Sequence, residues 1–143
     1  VLVTAVCASL LAQLIKVLLN LFIFHRFIAE RMWGAGGMPS SHSATVCAMV
    51  VATGRYCGVS SPTFAIAAVL SIIVMYDAMG VRYETGEQAK VLNRLFTEWM
   101  DQGIEQFQFP HGKKLKEMVG HTPIEVLTGA ALGIVLGFAM PMV

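Results

Sequence analysis

Charge is what this sequence has least of. Only 13% of its 143 residues are Asp, Glu, Lys or Arg, where a soluble domain carries about 25%. Ten basic and nine acidic side chains nearly cancel, leaving a formal net charge of +1. No basic stripe exists to neutralise a phosphate backbone, which excludes a nucleic-acid partner. Cysteine is scarce as well. Cys7, Cys47 and Cys57 stand far apart, without the C-x-x-C spacing of a metal or redox motif. They read as reduced thiols in or beside apolar runs.

Apolar surface is what is abundant. Hydrophobic residues make up 56% of the chain, and the mean hydropathy is +0.67. One integral membrane domain over residues 1–143 is the reading that fits. Apolar runs cover residues 1–24, 41–57, 62–80 and 123–143. The second is the shortest, about 25 Å long as a helix. Backbone in lipid must satisfy its own hydrogen bonds, so all four are expected to be helices. Trp33-Gly34-Ala35-Gly36-Gly37 breaks the chain after the first. Ser61-Pro62 and Thr122-Pro123 each read as an N-cap followed by proline at the first helical position. Thr122 and Glu125 add the pattern of a capping box.

Residues 81–120 hold most of the charge. Leu92, Leu95, Phe96, Trp99 and Met100 recur there at helical spacing. This predicts an amphipathic helix over roughly residues 86–107, lying on the bilayer interface or on the bundle, and ended by Pro110-His111-Gly112. The expected fold is thus all-α: a polytopic membrane helix bundle of about four transmembrane helices plus one amphipathic interfacial helix. With four spans, the 25–40 and 81–120 loops share a side. They contain Arg26, Arg31, Arg82, Lys90, Arg94, Lys113, Lys114 and Lys116, against Arg55 alone opposite. The positive-inside rule assigns both loops to the cytoplasm or its organellar equivalent. Gly129, Gly133 and Gly137 recur every four residues in the last run. Such a stripe allows close helix packing within the chain, or between copies in a homo-oligomer or larger membrane complex.

Polar residues that do not belong in lipid gather at one end. Gln13, Lys16 and Asn20 lie on the first run. Ser40, Ser41 and His42 open the second, Asp77 and Arg82 close the third, and His121 and Glu125 open the fourth. The alternation of four spans puts all of these at the same end. Each has a bland alternative. Lys16 could snorkel, His42 could be a satisfied core histidine, Glu125 could be only a cap partner, and Asp77 could bridge Arg82. Lys113, Lys114 and Lys116 could simply meet solvent or lipid headgroups. Intramembrane ionisable groups nonetheless default to function, and this set suits phosphate chemistry. Two histidines offer a nucleophile and a proton donor. Lys and Arg hold an anion, and two helix N-termini aim positive dipole ends at one space. His121 and Glu125 are four apart, so a helical turn is expected to bring the carboxylate to the imidazole and fix its tautomer.

"MPSSHSA" resembles the P-S-G-H motif of the type 2 phosphatidic acid phosphatase and vanadium haloperoxidase superfamily. "GHTPIEVLTG", residues 120–129, resembles its last motif. With "YDAMGVRYETGEQAKVLN" at 76–93 and "KKLKEMVGH" at 113–121, nearly the whole chain is similar to the divergent, membrane-embedded branch. The resemblance implies that His121 is the nucleophile, His42 the acid for the leaving group, and Glu125 the orienting carboxylate. It implies Ser40, Ser41 and Lys16 as phosphate ligands. For the phosphatase members it implies neither metal nor other cofactor. The chain departs from the pattern in having four spans plus one amphipathic segment where the family's core has six helices, and at three positions in the motifs. Ile23-Phe24 stand where the family has Arg-Pro, Leu115 where it has an arginine, and Ser41 where it has glycine. Arg82 is the candidate replacement for one of those arginines. The expected activity is metal-independent hydrolysis of a phosphomonoester or diphosphate, with lipid-linked phosphates as candidate substrates. The alternative is a catalytically degenerate relative serving as a structural or assembly subunit. A vanadate-dependent oxidant enzyme is the weakest of the three readings.

Overall fold

The computed structural model describes residues 1–24, 37–102, 113–117 and 119–141. Arg26, Arg31 and the Pro110-His111-Gly112 stop signal fall outside the described residues. Five helices are present among them: α1 (Leu2–Phe24), α2 (Ser41–Cys57), α3 (Pro62–Met79), α4 (Val81–Asp101) and α5 (Pro123–Ala139). No strand occurs among the described residues, and the chain folds as an all-α membrane bundle.

The helices start where the sequence supplies caps. The Ser40 side chain accepts from Ser43 N at the head of α2. The Ser61 side chain accepts from Phe64 N, with Pro62 in the first turn of α3. Thr122 and Glu125 close a full capping box on α5. Gly58 ends α2 at φ 81°, a left-handed conformation that disfavours any residue with a Cβ. The amphipathic helix begins earlier than its apolar periodicity implies. α4 follows α3 across a single residue, Gly80, at φ −98° and ψ −89°.

α2 is the central element, packed against α1, α3 and α5. Its neighbours fix the directions. Along α5, a Cβ at Gly129 would collide with the Ser40 carbonyl and one at Gly133 with the Ala44 carbonyl. At Gly137 it would stand 2.6 Å from Val51 Cβ. Positions rise together on the two helices, so α2 and α5 run parallel with their backbones in close approach. The glycine stripe is therefore filled from within the chain and is not free for a second copy. Ala8 and Ala12 of α1 meet Ala44 and Ala48 of α2, flanked by Leu132 and Leu136. Gln13 meets Ser41 while Lys16, further along α1, meets Gly37, and Cys47 meets Met75 while Gly54 meets Phe64, so α1 and α3 run antiparallel to α2. At the far end, Arg55 Nη1 donates to the carbonyls of Gly137, Phe138 and Met140 at 2.6, 3.1 and 2.8 Å, closing the open C-terminus of α5.

The interior is small and the exterior is large. The bulkiest fully buried side chains are Val126, Ser40 and Ser43, whereas Leu2, Ile66 and Val135 are 77%, 69% and 62% exposed. In water such a surface would drive association. In lipid it is the expected arrangement, because close contact between small residues holds membrane helices together. The segments Leu2–Phe22 and Pro62 onward are long and apolar enough to cross a bilayer. α2 and α5 have 17 residues each, about 25 Å at the helical rise. Enclosed by three partners, α2 can carry serine and threonine without showing them to lipid.

Candidate active site

Four elements converge on the polar end. α1 brings Lys16, only 2% exposed despite its charge. Its stem lies along Gly37: a Cβ there would be 3.5 Å from Lys16 Cδ, and Gly37 also holds φ +90°. Glycine thus lets the chain enter α2 over the lysine. The head of α2 is rigid. Ser40 Oγ accepts from Ser43 N and Ser43 Oγ at 3.4 and 3.1 Å, and Ser40 N donates to the Glu125 carbonyl at 3.0 Å. This last bond ties the first turns of α2 and α5 together. Both serines are buried, while His42 turns outward and is exposed.

His121 comes on a strap, of which residues 113–117 and 119–121 are described, laid along α4. Asn93, buried on α4, grips the strap at both backbone groups of Leu115. Its Nδ2 donates to Leu115 O and its Oδ1 accepts from Leu115 N, each at 2.8 Å. Its Nδ2 also donates to Glu117 Oε1 at 2.7 Å. Gly86 gives the strap room: a Cβ there would lie 2.9 Å from Val119 O. Gly120, at φ +87°, passes against the Arg82–Tyr83 backbone. His121 N then donates to Ala78 O at 3.0 Å, fixing the residue beside the end of α3.

The rings of His42 and His121 meet edge to face, with centroids 6.1 Å apart at 79°. The His121 side chain is buried, and neither ring nitrogen has a hydrogen-bond partner among the described residues. Burial, and then the positive charges of Lys16, His42 and Arg82, hold its pKa down at about 4 from the ordinary 6.5. The imidazole is therefore neutral at physiological pH, with one lone pair and one N–H. Among the described residues no three His, Cys, Asp or Glu side chains assemble into a metal-binding group. What the cluster offers is positive charge, two helix N-termini and hydroxyls, which together suit an oxyanion.

Two expected roles change in the structure. The Glu125 carboxylate does not orient His121. It turns to its own helix, where Oε2 accepts from Thr122 N at 3.0 Å. The four-residue spacing misleads because His121 precedes the N-cap, Thr122, and so lies outside the helical turn that would align the pair. Glu125 still acts on the site by charge, being within Coulombic reach of Lys16. Arg82 is engaged with Asp77, Nε to Oδ2 at 2.6 Å, in a pair 50% and 40% exposed. Its field nonetheless reaches both histidines. Gln13 stood among the misplaced polar residues without a role. Here its Nε2 donates to Ser41 Oγ at 3.4 Å. Asn93, Gly86 and Gly120 gave no signal on their own, since each matters only through a partner distant in sequence.

Comparison with known proteins gives two matches over most of the chain. The model of a family described as "Divergent PAP2 family" matches residues 1–136. The uncharacterized membrane protein YuiD of Bacillus subtilis (strain 168) is 39% identical over 141 residues, covering 94% of this chain and 89% of that protein. No solved structure matches.

Proposed function

Because this chain belongs to the divergent PAP2 family, we propose that it is a membrane phosphatase acting through a histidine nucleophile on a phosphomonoester or diphosphate at its charged face. The observation that carries this reading is His121. A neutral imidazole, without a hydrogen-bond partner among the described residues, has its ring centre 6.1 Å from that of a second, exposed imidazole and stands within the field of Lys16 and Arg82. Leaving a buried ring nitrogen unsatisfied costs on the order of 1–3 kcal/mol; a bound phosphate would accept from the N–H and present its phosphorus to the lone pair.

In the proposed reaction the His121 lone pair attacks phosphorus. The P–O bond to the ester oxygen breaks, and that oxygen takes its electron pair and a proton from His42. Water then attacks the phosphohistidine and gives a proton to His42. The P–N bond breaks, and phosphate leaves with His121 restored. Lys16 and the Ser40–Ser41 turn hold the phosphoryl oxygens, and Arg82 adds charge from the rim. An edge-to-face approach with centroids 6.1 Å apart leaves too little space between the rings for a phosphoryl group, so His42, the exposed member, is the one that moves aside. A lipid phosphate suits an interfacial site, because the headgroup enters while its tail stays in the bilayer. We also place this end in the cytoplasm or its organellar equivalent, following the excess of Lys and Arg there.

The test is phosphate release by the purified protein from a panel of lipid phosphates and diphosphates, with vanadate as competitor. Turnover that vanadate inhibits and His121→Asn abolishes is expected. The disengagement of Glu125 from His121 and the Asp77–Arg82 pairing favour a second reading, a degenerate relative acting as an assembly subunit. Absence of turnover and of vanadate binding would decide for it.

A further inference from the structure

Among the described residues, three buried side-chain polar atoms have no hydrogen-bond partner: His121 Nδ1, His121 Nε2 and Gln13 Oε1. The first two belong to the imidazole already discussed. The third has no part in the reaction above. Gln13 sits one turn before Lys16 on α1, so the two share a face of that helix. Its amide nitrogen points to Ser41 Oγ in the first turn of α2, leaving the amide oxygen as the unpartnered end. The Ser41 hydroxyl, having accepted from Gln13, retains its own O–H to donate.

The surroundings make that oxygen an exception. Lys16, Arg82, the serine hydroxyls and the head of α2 all seek an acceptor. Gln13 Oε1 seeks a donor instead, as does the lone-pair nitrogen of neutral His121. A fully deprotonated oxyanion would meet it lone pair against lone pair, which is repulsive. An oxyanion that keeps one hydrogen would donate to it while its other oxygens served the cationic groups. We propose that Gln13 is a ligand-binding residue whose amide oxygen accepts that hydrogen, so that the site selects protonated oxyanions: the monoanionic form of a phosphate ester, and inorganic phosphate over sulfate. This deepens the phosphatase reading and rests on it. The opposite orientation of the amide, with Ser41 donating to the oxygen and the NH2 facing inward, would select nothing of the kind.

Phosphate and sulfate separate these cases. At mildly alkaline pH both are tetrahedral dianions of similar size, and only phosphate carries a hydrogen. Titration calorimetry of the detergent-purified full chain with each anion is expected to give phosphate binding about tenfold tighter than sulfate, the value of one good hydrogen bond. Gln13→Met, close in shape and without hydrogen-bonding groups, is expected to bring the ratio near unity by weakening phosphate alone. Equal binding of the two anions by the wild type overturns the inference and leaves the anion site standing, and this arm needs no variant to fold. Equal weakening of both anions by Gln13→Met also overturns it, since the amide would then be acting as a donor. Binding of neither anion by the wild type removes the phosphate site and this inference together.

Discussion

Glu125 shows how one side chain can belong to a site without touching the reacting group. Its carboxylate caps α5, its carbonyl receives Ser40 N, and its charge faces Lys16. Glu125→Gln keeps an acceptor for Thr122 N, so stability is expected to change by no more than about 1 kcal/mol. The charge opposite Lys16 disappears, however, which leaves the buried ammonium more strongly uncompensated and the site more positive. Vanadate affinity is therefore expected to rise in the variant. Turnover is expected to fall about tenfold or less, well short of the ~10⁴ lost when a carboxylate that orients a catalytic histidine is made an amide. A loss of that larger size, with the fold intact by circular dichroism, would show the carboxylate swinging to His121 once substrate binds. Lys16 gives the complementary result: Lys16→Met is expected to weaken vanadate binding at least tenfold without unfolding, since it removes a buried charge. Unchanged affinity would mean that the ammonium only reaches for the interface.

At the scale of elements, the parallel pair of α2 and α5 sets the site, because it points both helix N-termini at one space. The glycine stripe makes that pair possible. Gly133→Leu would drive a side chain into the Ala44 carbonyl, and overpacking of this kind costs about 1–3 kcal/mol or more. A lower unfolding temperature and loss of anion binding are expected, whereas Ala131→Leu, on the exposed face two residues earlier, is expected to be neutral. Equal tolerance of both would mean the helices are not in contact there. The heads of α3 and α5 were legible in the sequence, because Ser61 and Thr122 announce caps through local chemistry alone. The convergence of Lys16, His42, Arg82 and His121 on one end was legible too, from the alternation of spans. The strap was not, since Asn93 reveals its grip on Leu115 only when the chain has folded back over 22 residues. Nor was the orientation of Glu125, because counting four residues across a helix boundary assumes a turn that does not exist. The apolar stripe of α4 was readable as periodicity but not as direction. Leu92, Leu95 and Met100 face outward, while Gly86, Ala89 and Asn93 form the face against the strap.

For the whole molecule, the distribution of charge and of bulk describes an object fitted to a bilayer with two different ends. One end carries α4, the lysine strap and the histidines. The other carries the α2–α3 turn and the Arg55 clamp on the last turn of α5. Placing the first end in the cytoplasm leads to a labelling prediction that uses the chain's own chemistry. Cys57, at the C-terminal end of α2, is exposed, whereas Cys47 is buried. In intact cells carrying Cys7→Ser, which removes the partly exposed thiol of α1, a membrane-impermeant maleimide is expected to label Cys57 from outside, and adding Cys57→Ser should abolish the signal. In that Cys57→Ser background, Lys114→Cys on the exposed strap is expected to react only after the membrane is permeabilised. Both results follow from one orientation, since α2 carries the chain from the histidine end to Cys57. The reverse pattern, with the strap labelled from outside and Cys57 protected, would turn the molecule over. The phosphate chemistry would then face the external side, and lipid phosphates of the outer leaflet would become the substrates to test.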